Sequence, residues 1–192
     1  LLVPRVGERS SAVGTVAAID QAGDLPGGAR AVFLRGLRRV RIGRAVPGAG
    51  DALWVTAEDV DEGEVTEEQR RLAEEYRPVL ENILEHRKAP QIADFVRSVD
   101  GPSALADIMG YSPDIDFDQK VELLETLDLT ERLTKVLEWG RHTLAALELK
   151  EKVRADVSEN LERGQREAIL RQQLEAIRKE LGDDDSSVIE EY

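Results

Sequence analysis

The sequence contains no cysteine. Disulfides, thiolate nucleophiles and cysteine metal sites are therefore excluded, and the composition fits a reducing compartment. Histidine is almost as scarce, with His86 and His142 the only two. Neither has a second histidine at ligand spacing, and His86, within the charged run EHRK, reads as a surface residue. Aromatic residues make up 4% of the chain, too few for a base-stacking surface, and Trp54 and Trp139 are expected to anchor the core. No apolar run approaches the ~20 residues needed to span a bilayer. Leu1-Leu2-Val3-Pro4, followed at once by Arg5 and Gly7, lacks the form of a signal peptide. These absences give no sign of a membrane span or a secretory route. The opening on an apolar run without methionine reads as a fragment whose first strands are missing.

Catalytic signatures are missing as well. The sequence holds no G-x-x-x-x-G-K-[ST] loop to cradle phosphates, no G-x-S-x-G elbow and no S-x-x-K pairing. Asp114-Ile115-Asp116-Phe117-Asp118 has the acids of a calcium loop but neither its central Gly nor its terminal Glu, so a helix cap with solvated acids is the expectation. No catalytic, cofactor-binding or metal-binding residue is assigned to this chain.

What is present is charge. Charged residues form 34% of the 192 residues and apolar ones 41%, enough of the latter for a core. The net charge of −13 is uneven: residues 1–60 hold 8 arginines against 6 acids, a balance of +2, and the rest 18 bases against 33 acids, a balance of −15. An acidic chain is a poor nucleic-acid binder, because phosphate neutralisation supplies most of that affinity. The one basic cluster is Arg35, Arg38, Arg39, Arg41 and Arg44. Two readings of it compete: a phosphate contact, tested by salt-dependent binding lost when Arg38, Arg39 and Arg41 become Ala, and a solvated strand face with Leu34, Leu37, Val40 and Ile42 interleaved as its buried side. The second is preferred.

Nine of the 15 glycines fall before residue 60. Between the turn clusters DQAGDLPGG (residues 20–28) and VPGAG (46–50) lie extended segments at 13–19, 31–34, 37–42 and 52–57, the middle two divided by Gly36. This pattern predicts a small antiparallel sheet or barrel. From Thr66 the period becomes helical. Thr66 with Gln69 has the form of a capping box, and Leu72, Tyr76, Leu80 and Ile83 make one stripe, with Pro78 expected to kink or divide the helix. Further helices are predicted over 91–99, 102–109 with Pro102 in its first turn, and 117–127 with Asp116 as cap. The last helical region runs from Asp128 to Leu181, with a break expected near Gly140, then a stop at Gly182 and an acidic linker.

If residues 143–181 form one helix, their 39 positions extend roughly 58 Å at ~1.5 Å each. That outruns a compact domain, whose radius of gyration at this length is about 16 Å. Leu149, Val153, Val157 and Leu161 form one stripe and Leu170, Leu174, Ile177 and Leu181 a second. At ~100° per residue their centres differ by roughly 110°. The first is expected to pack on this chain's own helices and the second to meet a neighbouring chain or a next domain; a bent or broken helix that folds back is the alternative. The organisation expected is α+β: a β-rich part over 1–62, a helical bundle over 63–142, a long exit helix over 143–182 and a linker over 183–192.

Five separated segments resemble, in order, the N-terminal region of the Lon ATP-dependent proteases. AVGTVAAI (12–19) resembles the family's S-V-G-T-V-A strand, and LPGGARAVFLRGLRRVRI (25–42) is similar to L-P-D-G-x-x-x-V-x-V-E-G-x-x-R-x-R-I. GPSALADIMG (101–110), VELLETLDLTERLTKVL (121–137) and QREAILRQQLEAIRKELG (165–182) resemble its D-P-x-x-L-A-D helix, its Q-x-x-L-E-x-x-D-x-x-x-R-L segment and its Q-R-E-Y-Y-L-x-E-Q-M-K-A-I-Q-K-E-L-G helix. Two departures stand out: Ala168-Ile169 replaces the usual aromatic pair and Arg35 the usual Glu before Gly36. The resemblance implies a PUA-like antiparallel β subdomain, a helical bundle and a long helix toward an ATPase module. It implies a cytoplasmic homo-hexameric ATP-dependent serine protease that takes unfolded, damaged and selected regulatory proteins. ATP and Mg would be used by that protein's other domains, and the fragment alone is expected to be a monomer or weak dimer. Leu170, Leu174, Ile177 and Leu181 are the candidate substrate or partner contacts. The alternative is a stand-alone protein-binding adaptor with the same fold, distinguished by whether an ATPase motif follows Tyr192 in the reading frame.

Overall fold

A computed structural model of the chain describes residues 1–50 and 52–180. They fall into two units, Leu1–Leu144 and Ala145–Tyr192. Leu181, the stop at Gly182 and the acidic stretch 183–192 lie outside the described residues.

The first unit begins with a short hairpin, β1 (Arg5–Val6) and β2 (Arg9–Ser10), and a three-stranded antiparallel sheet in the order β3-β4-β5: β3 is Val13–Asp24, β4 Arg30–Val46 and β5 Trp54–Asp59. The expected division at Gly36 is corrected. β4 runs straight through it, because the chain absorbs the irregularity as a register shift opposite Val16/Ala17 and keeps pairing, Ala17 with Gly36 and Val16 with Arg38. The β3–β4 turn closes through the Leu25 amide to the Ala29 carbonyl at 2.7 Å, with Gly27 and Gly28 at φ of 108° and 84°, a region open to glycine.

The helices follow: α1 (Glu67–His86), α2 (Pro90–Ser98), α3 (Pro102–Asp107) with a 3-10 turn at Ile108–Tyr111, α4 (Phe117–Glu125) and α5 (Leu129–Glu180). Both expected capping boxes form, Thr66 with Gln69 and Asp116 with Gln119, so the first amides of α1 and α4 are satisfied from both sides. Pro78 does not divide α1. It sits on the exposed side, as does Glu74 one turn earlier, the residue whose carbonyl an amide at position 78 would otherwise bond. Nor does α5 break at Gly140. That glycine is buried where α5 passes α1, and a Cβ there would stand 3.1 Å from Val79 and 3.3 Å from Tyr76. Its role is close approach.

The core lies among the helices. Leu72, Tyr76 and Leu80 of α1, Val96 of α2, Leu105 of α3, Met109, and Leu133, Val136 and Leu137 of α5 form one buried cluster, with Trp139 packed against it as expected. Trp54 is corrected: it is 49% exposed. Its indole lies over Gly48, where a Cβ would fall 1.8 Å away, and donates from Nε1 to the Ala49 carbonyl at 3.1 Å. It staples the β4–β5 loop. His86 is half-buried at the last turn of α1. In the sheet, only Val13 and Val40 are fully buried apolar side chains, at the end beside α4.

In the second unit α5 continues to Glu180. Leu149, Val153, Val157 and Leu161 are exposed there, which corrects the expectation that this chain covers them. Among the described residues no helix is long and apolar enough to cross a membrane.

Candidate functional site

The expected contacts Leu170, Leu174 and Ile177 lie along α5 in the second unit, each about half exposed, and Leu181 lies outside the described residues. A different surface, in the first unit, gathers more kinds of chemistry. It is a cleft of about 660 Å³ between the middle of the β3–β4 hairpin and the 3-10 turn with α4.

Its sheet wall departs from the expected pattern. Leu34 and Leu37 were to share a buried face with Val40 and Ile42, yet both are exposed, while Val40 is buried and Ile42 half-buried. The buried apolar side chains of the sheet are confined to the stretch around Val13 and Val40, and Leu34 and Leu37, further along β4, are only partly covered. Phe33 is 74% exposed on the same wall, and Tyr111, from the 3-10 turn, is 86% exposed opposite. Buried Leu123 and half-buried Leu124 of α4 complete the lining. A run of three apolar residues, Val32-Phe33-Leu34, was the overlooked signal: strict alternation turns neighbours to opposite faces, so such a run must expose some of its apolar surface.

The charges in the cleft are mostly paired. Arg35 donates from Nε and Nη2 to Asp20 at 2.9 and 3.1 Å. The hydrogen bond from Arg35 lowers the Asp20 carboxyl below its usual range, slight desolvation opposes this, and the positive charge adds to the lowering. Arg38 binds Asp59 at 2.6 Å. Arg39, 12% exposed at its side chain, forks onto Asp107 at 2.9 and 2.7 Å and donates to the Leu124 carbonyl at 3.3 Å. Three of the five clustered arginines are thus held by carboxylates, which argues against their reading as a phosphate contact.

Behind Arg39 lies a buried ion network. Arg132 of α5 has a fully buried side chain and binds Glu62, the Ser103 hydroxyl at 2.9 Å and the Thr126 carbonyl at 3.2 Å, with Nε 3.5 Å from Asp107. Glu62 also lies 3.8 Å from Arg39. Burial pushes the Glu62 carboxyl up, but hydrogen bonds from Ser103 and Arg132 and the charges of Arg132 and Arg39 outweigh it and hold it low. The network joins β4, the segment before α1, α3 and α5, fixing the sheet wall against the helical wall. On the far side of α4, Glu125 accepts from Arg9 at 2.9 and 3.3 Å, from the Ser11 hydroxyl at 2.9 Å and from the Ala12 amide at 3.1 Å. It pins the start of β3.

The arrangement offers exposed apolar and aromatic side chains on a rigid frame, rimmed by charge, which suits binding an apolar chain segment. The family model of the ATP-dependent protease La (LON) substrate-binding domain matches residues 4–140, which include every residue of the cleft. A Lon protease of Mycolicibacterium smegmatis is 45% identical over 187 residues, covering 97% of this chain and 24% of that protein. One of Salinispora arenicola is 44% identical over 192 residues, covering 100% of this chain and 25% of that protein. The chain thus spans about a quarter of the length of these relatives. The solved N-terminal domain of a Mycobacterium avium complex Lon protease superposes with a TM-score of 0.67 at 42% identity, over 72% of this chain and 74% of that one. By sequence and by fold, this chain belongs to the family of Lon protease substrate-binding domains.

Proposed function

We propose that this chain recruits substrate for a Lon-type, ATP-dependent serine protease that removes unfolded, damaged and selected regulatory proteins in the cytoplasm. ATP and Mg belong, on this reading, to other domains of a homo-hexameric protein, and the chain binds and positions. The cleft carries the proposal. Phe33, Leu34, Leu37 and Tyr111 present apolar surface that folded proteins keep covered, on a wall that the Arg39–Asp107 pair holds in place. An unfolded segment offers the matching apolar side chains, and a folded protein does not. The exposed row of Leu170, Leu174 and Ile177 supplies a second apolar surface that meets substrate or partner.

The test is binding of this chain to one protein in its unfolded and folded forms. Unfolded-selective binding is expected, reduced about tenfold or more in Phe33→Ser/Leu37→Ser, in line with the loss of two apolar anchors. Leu174→Asp/Ile177→Asp reports the contribution of the helix. Equal binding of both forms, or full retention in the cleft variant with loss only in the helix variant, removes the cleft from the reading.

A further inference from the structure

Within the −13 chain the cleft is a cationic exception. Its lining holds four cations, Arg35, Arg38, Arg39 and Lys120, and two carboxylates, Asp20 and Asp107. The three arginines are engaged by Asp20, Asp59 and Asp107. Lys120 is not: among the described residues its ammonium group makes no ion pair and no hydrogen bond, although the residue is half-buried on α4. Lys135 on α5, by contrast, pairs with Glu122 at 2.9 Å and Glu131 at 3.1 Å. A half-buried ammonium without a counter-charge is an unfavourable arrangement that a ligand carboxylate relieves.

We infer that the cleft prefers unfolded segments in which an acidic residue adjoins an aromatic or branched aliphatic one, with Lys120 pairing with the carboxylate. This rests on the reading of the cleft as a substrate surface and adds a specificity to it. The apolar side chain of the segment lies against Phe33, Leu37 and Tyr111, which are exposed for it. The carboxylate meets Lys120, the one cation of the lining that has no partner among the described residues. The paired arginines add little attraction, because each is already neutralised across a short hydrogen bond. They do form a wall that a basic segment approaches without gain.

Fluorescence anisotropy on three short labelled peptides tests this. They share one aromatic-rich sequence and differ at one position, Glu, Gln or Lys. At low salt the Glu peptide should bind about two- to fivefold tighter than the Gln peptide, the range of a single ion pair near the surface, with the Lys peptide weakest. Lys120→Met should erase the Glu preference, so that the Glu and Gln peptides bind alike. Lys120→Arg should keep the preference and Lys120→Glu should reverse it. Lys150→Glu, on exposed helix α5, should change nothing. Equal binding of the Glu and Gln peptides by the unmodified chain overturns the inference, as does a Glu preference that survives in Lys120→Met. Loss of all three peptides in Phe33→Ser/Leu37→Ser sustains the underlying reading whichever way the charge result falls. Unchanged binding in that variant removes the underlying reading itself.

Discussion

Arg39 of β4 and Asp107 at the end of α3 meet fork to fork, through two hydrogen bonds of 2.9 and 2.7 Å, across the junction between sheet and helices. Planar bidentate pairs of this kind are stronger and more directional than single contacts. Arg39→Ala or Asp107→Asn should each destabilise the first unit by about 1–2 kcal/mol, toward the lower end for a charge-assisted bond because the Asp107 side chain is 41% exposed. The double variant should lose less than the sum. Urea unfolding of the four proteins measures this, and strict additivity would mean that the two side chains do not support each other.

Acid should weaken the fold in a way that names its carboxylates. In Glu125 the hydrogen bond from Arg9 leads the lowering of the carboxyl, desolvation opposes it, and Ser11, the Ala12 amide and the charge of Arg9 contribute further. Its folded pKa therefore lies below the unfolded value of ~4.3. A depressed carboxyl stabilises fully above the unfolded value and loses that contribution as pH falls through the folded one. The urea midpoint should thus hold from neutral pH to about 5 and then fall. Glu125→Gln should start lower at pH 7 and fall less. Identical acid-side slopes in the two proteins would exclude Glu125 as a source of the loss.

Tyr76 has no exposed surface, and its hydroxyl finds no protein partner among the described residues. Burial pushes its pKa up, which keeps it neutral. Tyr76→Phe should therefore be neutral or stabilising by up to about 1 kcal/mol, since it removes a desolvated polar group and keeps the ring. A melting temperature clearly below that of the unmodified chain would reveal a partner for the hydroxyl.

Two glycines of α5 should respond in opposite directions. Gly140 faces Val79 and Tyr76 closely, so Gly140→Val should overpack the core and cost about 1–3 kcal/mol. Gly164 has nothing within 4 Å of where a Cβ would stand. Gly164→Ala should raise helix stability by about 0.5–1 kcal/mol through lower backbone entropy in the unfolded chain. Circular dichroism melts distinguish the two, and a destabilising Gly164→Ala would point to a contact at that face.

The helices were legible because their signals are local. Thr66 with Gln69 and Asp116 with Gln119 mark their caps in four residues each, and the structure forms both. Gly140 misled because a glycine that breaks a helix and one that admits a neighbour look the same in sequence; Val79 and Tyr76, more than 60 positions away, decide between them. Leu34 and Leu37 misled for a related reason. Alternation says that one strand face is apolar, but not how far along the strand a covering helix reaches. The cleft was illegible because its walls come from residues 15–39 and 107–124 and only folding brings them together. The apolar row on α5 was visible as a pattern, and what covers it is not a property of that pattern.

The sheet also has a mechanical consequence. β3 and β4 pair from Val13 opposite Arg41 to Asp24 opposite Arg30, yet buried apolar anchoring is confined to Val13 and Val40 at one end. Amide hydrogens near that end should exchange only when the whole unit opens, whereas those toward Leu25 and Ala29 should exchange through local fraying. A polypeptide held against Phe33 and Leu37 therefore leans on a wall that stiffens toward Val40 and yields toward the turn. Differently shaped side chains can be accommodated at the yielding end, while the Arg39–Asp107 end keeps its geometry.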